Sequence, residues 1–305
     1  MKATAVAPAN IAFIKYWGRK DKALRLPYNP SISMNLSACI TTTTVEFSPD
    51  FTEDRVSKGF HEERVIEHLD RLRKIAGTEF KANVMTKNSF PASAGIASSA
   101  SGFAALTVAA AAALNLHLSE QELSVLSRLG SGSACRSISD GFVKWDGEYA
   151  YSLYPHEYWD LRDILVIVDA HAKKTSSSEG HDNVETSPLF QKRLQELPSR
   201  IRKMERALRE KNFLLFGEIL EEDCLDMHGV MQTQDPPLMY WTDETKKLME
   251  EVRDWRKEGL PVYFTIDAGP NVHLLCEAKH EREVLKRVQG RQIIVNIPSK
   301  GAHIV

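Results

Sequence analysis

PASAGIASSASGFAALTVAAAAAL, residues 91–114, places a run of small residues directly before an alanine-rich stretch. Gly95 permits backbone torsions closed to other residues, and the alanines and serines beside it let a ligand approach the backbone closely. The stretch from Phe103 to Leu114 contains no helix breaker and predicts a helix, whose N-terminus would present unpaired N–H groups and partial positive charge. The segment therefore predicts either an anion site, best suited to phosphate, or a tight helix contact with serine caps.

Three serines in this segment add hydroxyl groups: Ser98, Ser99 and Ser101. Such hydroxyls can cap the helix, contact phosphate oxygens or help to hold a metal ion. The loop is not a Walker motif, because no Gly-Lys-Ser/Thr ends it, and it lacks the Gly-x-Gly-x-x-Gly spacing of dinucleotide sites. Residues elsewhere in the chain must therefore decide between the two interpretations.

The composition is that of an ordinary globular protein. The chain has 305 residues, 43% of them hydrophobic and 26% charged, with a formal net charge of −2. This balance argues against nucleic acid or an anionic membrane as the main partner, so local cations must hold any phosphorylated ligand. Four scattered cysteines and the lack of a signal-peptide pattern predict reduced thiols in a cytoplasmic protein.

Strand and helix patterns are mixed along the chain, which predicts an α+β fold. Strand patterns dominate the first fifty residues and return near residues 261–278 and 291–298, whereas 62–76, 119–130, 193–222 and 242–258 have helical spacing. The polar, breaker-rich KKTSSSEGHD near residues 173–182 predicts a boundary between a domain of residues 1–184 and one of residues 185–305.

Two further stretches place cationic side chains among small residues. Lys15 ends an apolar run in APANIAFIKYWGRKD, residues 7–21. It would anchor an anion, or be an interior charge that needs a carboxylate partner, or belong to an exposed basic turn. Arg136, in GSGSACRS, offers a planar fork that matches a carboxylate, and Ser131 and Ser133 could donate to the same ligand. The alternative is an arginine that caps the carbonyl groups at a helix end.

A carboxylate follows the apolar strand pattern VYFTI. Asp267 stands at its end and is followed at once by Ala-Gly-Pro-Asn. A carboxylate fixed at a strand end is well placed to act as a base. The alternative is an Asx-turn, in which Asp267 bonds only to the backbone of the turn.

Six ordered blocks together resemble the ATP-dependent mevalonate phosphate decarboxylases of the GHMP kinase superfamily. The blocks are ANIAFIKYWGRKD, NPSISMNL, PASAGIASSASGFAAL, SGSACRSISDGFVKW, KKTSSSEGH…TSPLF and TIDAGPN, and they cover almost the whole chain. The resemblance implies a GHMP kinase fold, with an N-terminal part like ribosomal protein S5 domain 2 and an α/β ferredoxin-like C-terminal part. It also implies a homodimer that binds ATP, Mg²⁺ and a small mevalonate phosphate.

The resemblance assigns roles to individual residues. Asp267 would contact the C3 hydroxyl of the substrate, Arg136 would bind its C1 carboxylate, and Lys15 would lie close to both. The nucleotide and substrate phosphates would be held by residues of the small-residue loop and of KKTSSSEGHD: Gly95, Ser98, Ser99, Ser101, Ser176 and Ser177. Ser99 is also the candidate to contact Mg²⁺ bound with ATP.

The residues expected to bind the substrate are Tyr16, Trp17, Arg19, Arg64, Ser131, Ser133 and His181. Of these, Arg19, Arg64 and His181 are expected near its phosphorylated end. Enzymes for the 5-diphosphate typically read KYWGKRD and SSxxGM, whereas this chain reads KYWGRKD and SSSEGH. Arg19 and His181 therefore favour mevalonate 5-phosphate, with isopentenyl phosphate as product. Arg64 matches a family arginine near the distal phosphate and favours the alternative, a diphosphomevalonate decarboxylase. A small-molecule kinase that does not decarboxylate is a further alternative.

Overall fold

The chain folds into a mixed α+β structure, as its sequence predicts. The computed structural model describes residues 1–57, 61–91, 98–169 and 177–305, with side chains throughout except at 177–179. The strands are β1 (Lys2–Ile14), β2 (Arg19–Asp21), β3 (Leu26–Pro27), β4 (Ser31–Ser48), β5 (Arg55–Val56), β6 (Lys81–Asn88), β7 (Phe142–Asp146), β8 (Tyr149–Tyr154), β9 (Leu161–Val166), β10 (Tyr263–Thr265), β11 (Val272–Glu277), β12 (Ile293–Asn296) and β13 (His303–Ile304). The helices are α1 (Glu62–Ala76), α2 (Ser98–Ala113), α3 (Glu120–Gly130), α4 (Ser177–Asp182), α5 (Phe190–Glu210), α6 (Phe213–Thr233), α7 (Asp243–Lys257) and α8 (Glu281–Arg287).

Two sheets organise the molecule. The first runs β13-β1-β4-β6-β5, with β7 paired to β4 and β8 to β7, and the second runs β10-β11-β9-β12. The strands β2 and β3 form a separate short hairpin. Because β9 pairs with β11 and β12, the second sheet already begins before residue 184. The boundary between residues 1–184 and 185–305 stays a prediction.

Helix α2 packs against β1 and β4 of the first sheet. Its alanines are buried on nearly every face, as expected for a helix that is apolar all round. The helix begins at Ser98, before the predicted start at Phe103, so the three candidate serines belong to its first turns. The small residues thus serve close packing along most of this helix.

The ends of the helices follow local sequence signals. Helix α1 has the predicted bounds, and the predicted cap of α3 forms a complete capping box between Ser119 and Glu122. The periodicity predicted over 193–222 belongs to two helices, because Lys211 adopts a left-handed backbone (φ 50°) and Asn212 caps α6. Helices α5 and α6 pack together, and α6 also contacts β1 and β10. This contact brings the C-terminal half of the chain against the end of β1.

The four cysteines are buried and unpaired, as expected for reduced thiols. Within the described ranges, no helix combines the length and apolar character needed to cross a bilayer.

Candidate active site

Lys15 and Asp267 form a charged pair at the centre of the candidate site. Lys15 directly follows β1, and its Nζ donates to Oδ1 of Asp267 over 2.7 Å. The lysine side chain is 1% exposed, whereas that of Asp267 is 24% exposed. Of the alternatives that the sequence left open for Lys15, the structure shows the interior charge paired with a carboxylate. Asp267 presents its remaining surface to solvent and is thus the member of the pair that a ligand can reach.

The environment of Asp267 keeps it ionised. Burial raises the pKa of this carboxyl, but the charges of Lys15, His273 and Arg136 outweigh burial and hold the pKa below its ordinary value. The turn after the strand closes through the main chain, since the Gly269 N–H donates to the carbonyl oxygen of Asp267 over 2.7 Å. The carboxylate is therefore aimed at Lys15 and is not used for an Asx-turn.

The backbone of Lys15 is held by side chains from other elements. Its N–H donates to Oδ2 of Asp223, in α6, over 2.6 Å. Its carbonyl oxygen accepts from Asn29 at 3.0 Å and from Arg193, in α5, at 3.3 Å. Because the backbone N–H and C=O groups of Lys15 are both held, its side chain projects from the end of β1 in one defined direction.

A buried ion-pair network lies behind this contact. Arg193 and Asp223 are each 0% exposed and pair at 3.1 Å, and Arg200 joins them through Asp223 at 3.2 Å and Asp226 at 2.8 Å. Arg193 also donates to Asp226 at 2.5 Å. Sequence reasoning did not identify these residues, because charged positions on long helices look like solvated faces until α5 and α6 pack on β1.

Arg136 is buried and faces neutral oxygen atoms. It lies in a 3₁₀ segment, Gly132–Ser137, and is 3% exposed. Its Nε and Nη2 donate to Oδ1 of Asn10 over 3.1 and 2.9 Å, and its Nη1 donates to Oγ of Ser31 over 2.6 Å. Burial lowers the pKa of Arg136, and the nearby Asp267 charge acts in the opposite direction. Its partners are side chains, so it does not cap a helix end.

The charge of Arg136 has no direct counter-ion in the described part of the chain, where no carboxylate lies within 4.0 Å of it. A buried guanidinium in this state is stabilised by a ligand carboxylate, which matches its planar fork. Asn10 and Ser31 were missed as individual site residues, although each stands in a quoted block. The available signal was a polar side chain inside an otherwise apolar strand pattern.

Tyr16, Trp17 and His181 form a stack beside this site. The ring of His181 lies 4.4 Å from that of Tyr16 and 4.4 Å from that of Trp17, and its Nδ1 accepts from the Gly18 N–H at 2.8 Å. Trp17 is 2% exposed and donates to Gln234 at 3.1 Å. The indole thus packs in the interior and supports the KYWG turn, and its place among the substrate-binding residues stays a prediction.

The predicted serines are distributed between exposed, half-buried and interior positions. Ser99 is exposed, and its Oγ lies 3.1 Å from Oγ of Ser131. Ser101 is 0% exposed and bonds to Thr41 of β4 at 2.6 Å, so its hydroxyl joins α2 to the first sheet. Ser133 is half-buried, and its carbonyl oxygen accepts from Asn10 at 3.2 Å.

Some predicted phosphate-binding residues cannot be placed. Gly95 and Ser176 lie outside the described residues, and the side chain of Ser177 does too. Ser98 begins α2. With Ser99 of its first turn beside Ser131, the described start of this helix would suit an anion, as helix N-termini commonly do.

The family models match in two consecutive parts. Residues 7–152 match the diphosphomevalonate decarboxylase-like N-terminal domain, and residues 164–297 match the mevalonate 5-diphosphate decarboxylase C-terminal domain.

Individual relatives agree with these models over nearly the full length. The diphosphomevalonate decarboxylase of Ganoderma lucidum is 35% identical over 324 residues, covering 94% of this chain and 81% of the relative. The crystal structure of mevalonate diphosphate decarboxylase from Staphylococcus aureus superimposes with a TM-score of 0.95 at 37% identity, covering 100% of this chain and 98% of the other. A structure of MDDEF in complex with MVAPP, AMPPCP and magnesium gives a TM-score of 0.93 at 36% identity, with coverage of 100% and 99%. This chain therefore belongs to the diphosphomevalonate decarboxylase family of the GHMP superfamily.

Proposed function

We propose that this chain catalyses the ATP-dependent decarboxylation of mevalonate 5-diphosphate, with isopentenyl diphosphate, ADP, phosphate and CO₂ as products. The observation that carries the proposal is the Lys15–Asp267 pair at 2.7 Å, with the buried Arg136 acting electrostatically on the same carboxylate. The names of the relatives and the MVAPP and AMPPCP of the MDDEF complex support the choice of substrates.

Asp267 acts as the base. Its lowered pKa keeps the carboxylate ionised near neutral pH, and its exposed edge accepts the proton of the tertiary C3 hydroxyl as that oxygen attacks the γ-phosphate of ATP. Lys15 holds the carboxylate in place and offsets negative charge that develops at the reacting oxygens. The fixed backbone of Lys15 limits the freedom of both groups, and misplacement of such groups by about 1 Å can cost about 100-fold in rate.

Arg136 orients the C1 carboxylate of the substrate. Asn10 and Ser31 fix the plane of the guanidinium through three hydrogen bonds. After transfer, the 3-phosphate leaves, a carbocation-like centre develops at C3, and the bond between C1 and C2 breaks to give CO₂ and the alkene. An oriented carboxylate aligns that breaking bond with the empty orbital at C3.

Ser98 and Ser99 would hold the nucleotide end. They lie in the first turn of α2, where backbone N–H groups and hydroxyls suit phosphate oxygens. Magnesium, which is present in the MDDEF complex, would reduce the negative charge of the nucleotide phosphates. Ser99 fits a role beside such a metal because its hydroxyl is exposed and meets Ser131 at 3.1 Å.

The proposed substrate is therefore mevalonate 5-diphosphate, and not the mevalonate 5-phosphate that Arg19 and His181 favoured in the sequence. His181 uses its Nδ1 for the Gly18 N–H and its ring for stacking on Tyr16. These contacts account for a histidine at this position, so it need not indicate a monophosphate substrate. Arg19 places its Nε on the Tyr16 hydroxyl at 3.2 Å and lies near Asp182 at 3.8 Å. The relatives named for the diphosphate then favour that substrate.

Parallel assays test the proposal. Purified protein is supplied with ATP, Mg²⁺ and either mevalonate 5-diphosphate or mevalonate 5-phosphate, and ADP and CO₂ are measured together. We expect equal release of both products from the diphosphate and a kcat/KM at least tenfold lower with the monophosphate. ADP without CO₂ would indicate a kinase, and a preference for the monophosphate would contradict the choice of substrate.

The variant Asp267→Asn tests the base in the same assay. We expect turnover to fall by roughly 10²- to 10⁴-fold, the usual contribution of a positioned acid or base. The amide oxygen can still accept from Lys15, so we expect a cooperative thermal transition to persist. Near-normal activity in this variant would overturn the assigned role.

A further inference from the structure

The C-terminal end of α3 is surrounded by three arginines from separate elements. Nε of Arg25 donates to the carbonyl oxygen of Leu129 over 3.0 Å, and Nη2 of Arg64 donates to that of Gly130 over 2.8 Å. Nε of Arg19 donates to the hydroxyl of Tyr16. That hydroxyl packs so closely against Gly132 that a Cβ at this position would lie only 2.8 Å from it. We call Arg19, Arg25 and Arg64 the arginine cluster. Four consecutive residues, 129–132, thus bring its side chains together.

Arg19 lies 3.8 Å from Asp182, whereas the other two members of the arginine cluster have no carboxylate partner among the described residues. Within the described ranges, no carboxylate lies within 4.0 Å of Arg25 or Arg64. Burial, followed by the charges of Arg19 and Arg64, lowers the pKa of Arg25 to about 10. The three guanidinium groups therefore repel one another at partly buried positions, and a bound anion would relieve that repulsion.

The arginine cluster is continuous with the candidate active site. Ser131 follows Gly130 and contacts Ser99 at 3.1 Å, and the 3₁₀ segment that begins at Gly132 carries Arg136. Tyr16 directly follows Lys15 in the chain. An anion held by the cluster would consequently belong to a ligand whose other end reaches Lys15 and Arg136.

Arg25 is the member of the cluster that sequence reasoning did not identify. It lies in the turn between β2 and β3 with a left-handed backbone (φ 52°), a conformation that favours glycine or asparagine. Its single hydrogen bond to the described protein uses Nε, which leaves both Nη groups to bind a ligand. Arg64 donates to the adjacent carbonyl oxygen, so the two arginines together cap the end of α3 and keep further N–H groups for a ligand.

We propose that Arg25 is a specificity-determining residue that binds the terminal phosphate of the 5-diphosphate. This inference rests on the proposed function. Arg19 and Arg64 were expected at the phosphorylated end of the substrate, and Arg25 adds a third fork at the same place. A second phosphate carries additional negative charge and acceptor oxygens, and a guanidinium binds such a group in a bidentate manner.

The test compares Arg25→Gln with the wild type on both substrates. We expect kcat/KM for mevalonate 5-diphosphate to fall about 10- to 100-fold, chiefly through KM, as for the loss of a charged hydrogen bond. The value for mevalonate 5-phosphate should change less than threefold, and KM for ATP should not change. Arg25→Lys should recover part of the loss, since it keeps the charge without the fork.

Arg71→Gln is the matched control. Arg71 is a nearby arginine of α1 that has its own carboxylate partner, Glu67, so this variant should retain the preference of the wild type. Equal losses on both substrates in Arg25→Gln, or no loss on either, would overturn the proposal. Failure of the wild type to use the diphosphate would instead refute the proposed function, on which the role of Arg25 depends.

Binding of inorganic pyrophosphate gives a readout that does not need turnover. Added pyrophosphate should raise the thermal transition of the wild type and of Arg71→Gln, and should raise that of Arg25→Gln less. Equal protection of all three proteins would also overturn the proposal. If Arg25→Gln folds poorly, the same measurement is made on Arg25→Lys, which should be protected less than the wild type.

Discussion

Two groups of arginines in this molecule differ in how their charge is balanced. In the buried network around Asp223, two arginines share carboxylates from α6, and each arginine is at most 4% exposed. In the arginine cluster at the end of α3, Arg25 and Arg64 instead donate to backbone carbonyl oxygens. The partner, more than the burial, therefore distinguishes the arginines that stabilise the fold from those that we propose bind a ligand.

The largest effect on stability is expected in the buried network. Asp223→Asn would leave Arg193 and Arg200 with less compensating charge and weaken the contact to the Lys15 N–H. Removing one partner of a buried pair costs about 3–5 kcal/mol, so we expect the free energy of unfolding in urea to fall by about that amount. The surviving folded fraction should also have a lower kcat, since the backbone at Lys15 is no longer fixed.

Asp254→Asn is the control for this prediction. Asp254 pairs with Lys257 on the exposed face of α7, with side chains 62% and 77% exposed. Such a surface pair contributes about 0–1 kcal/mol. Similar losses in the two variants would show that the buried network is not special.

Acidification should reveal an intermediate effect. Burial lowers the pKa of His68 and of His228 to about 3, with a further contribution from Arg71 and Arg25 at His68 and from Lys15 at His228. The unfolded chain binds protons at these positions near pH 6.5, whereas the folded protein does not, so stability falls as the pH drops below about 6.5. At pH 5, each histidine accounts for about 2 kcal/mol of lost stability.

The measurement is urea unfolding of the wild type and His68→Gln at pH 7 and pH 5. We expect the difference between the two pH values to shrink by about 2 kcal/mol in the variant. The exposed His117→Gln should leave that difference unchanged. An unchanged difference in His68→Gln would mean that His68 is protonated in the folded protein.

The smallest effect on stability is expected in the arginine cluster. Arg64→Gln removes a bond to the Gly130 carbonyl oxygen and a ring contact with Phe103 at 5.0 Å, but it also relieves repulsion from Arg19. We expect the free energy of unfolding to change by less than about 1 kcal/mol. If the free energy of unfolding fell as much as in Asp223→Asn, the arginine cluster would be as important to stability as the buried network, which contradicts the distinction between the two groups.

The sequence predicted those features that depend on neighbouring residues. Helix α1 has the predicted bounds, and Ser119 and Glu122 form the predicted box. Among candidate site residues, Lys15 and Asp267 were brought together through family blocks, and the structure places them in contact. Their local patterns alone favoured a surface turn for Lys15 and an Asx-turn for Asp267.

What the sequence missed depends on contacts between distant segments. The interior position of Trp17 results from packing with residues of α5 and α6. Arg25 follows no motif, and its relation to Arg64 appears only when the β2–β3 turn meets the end of α3. Asp223 resembles any charged helix position until α6 lies on β1. No spacing rule within one segment contains this information.

The contact between Lys15 and Asp267 joins residues that are 252 positions apart, and the support from Asp223 joins residues 208 positions apart. During synthesis on the ribosome, the first residue of the pair is made long before its partner. A nascent or truncated chain that ends before residue 267 would lack the proposed base. The activity that we propose therefore depends on a residue made long after Lys15, and it can arise only once synthesis has passed residue 267.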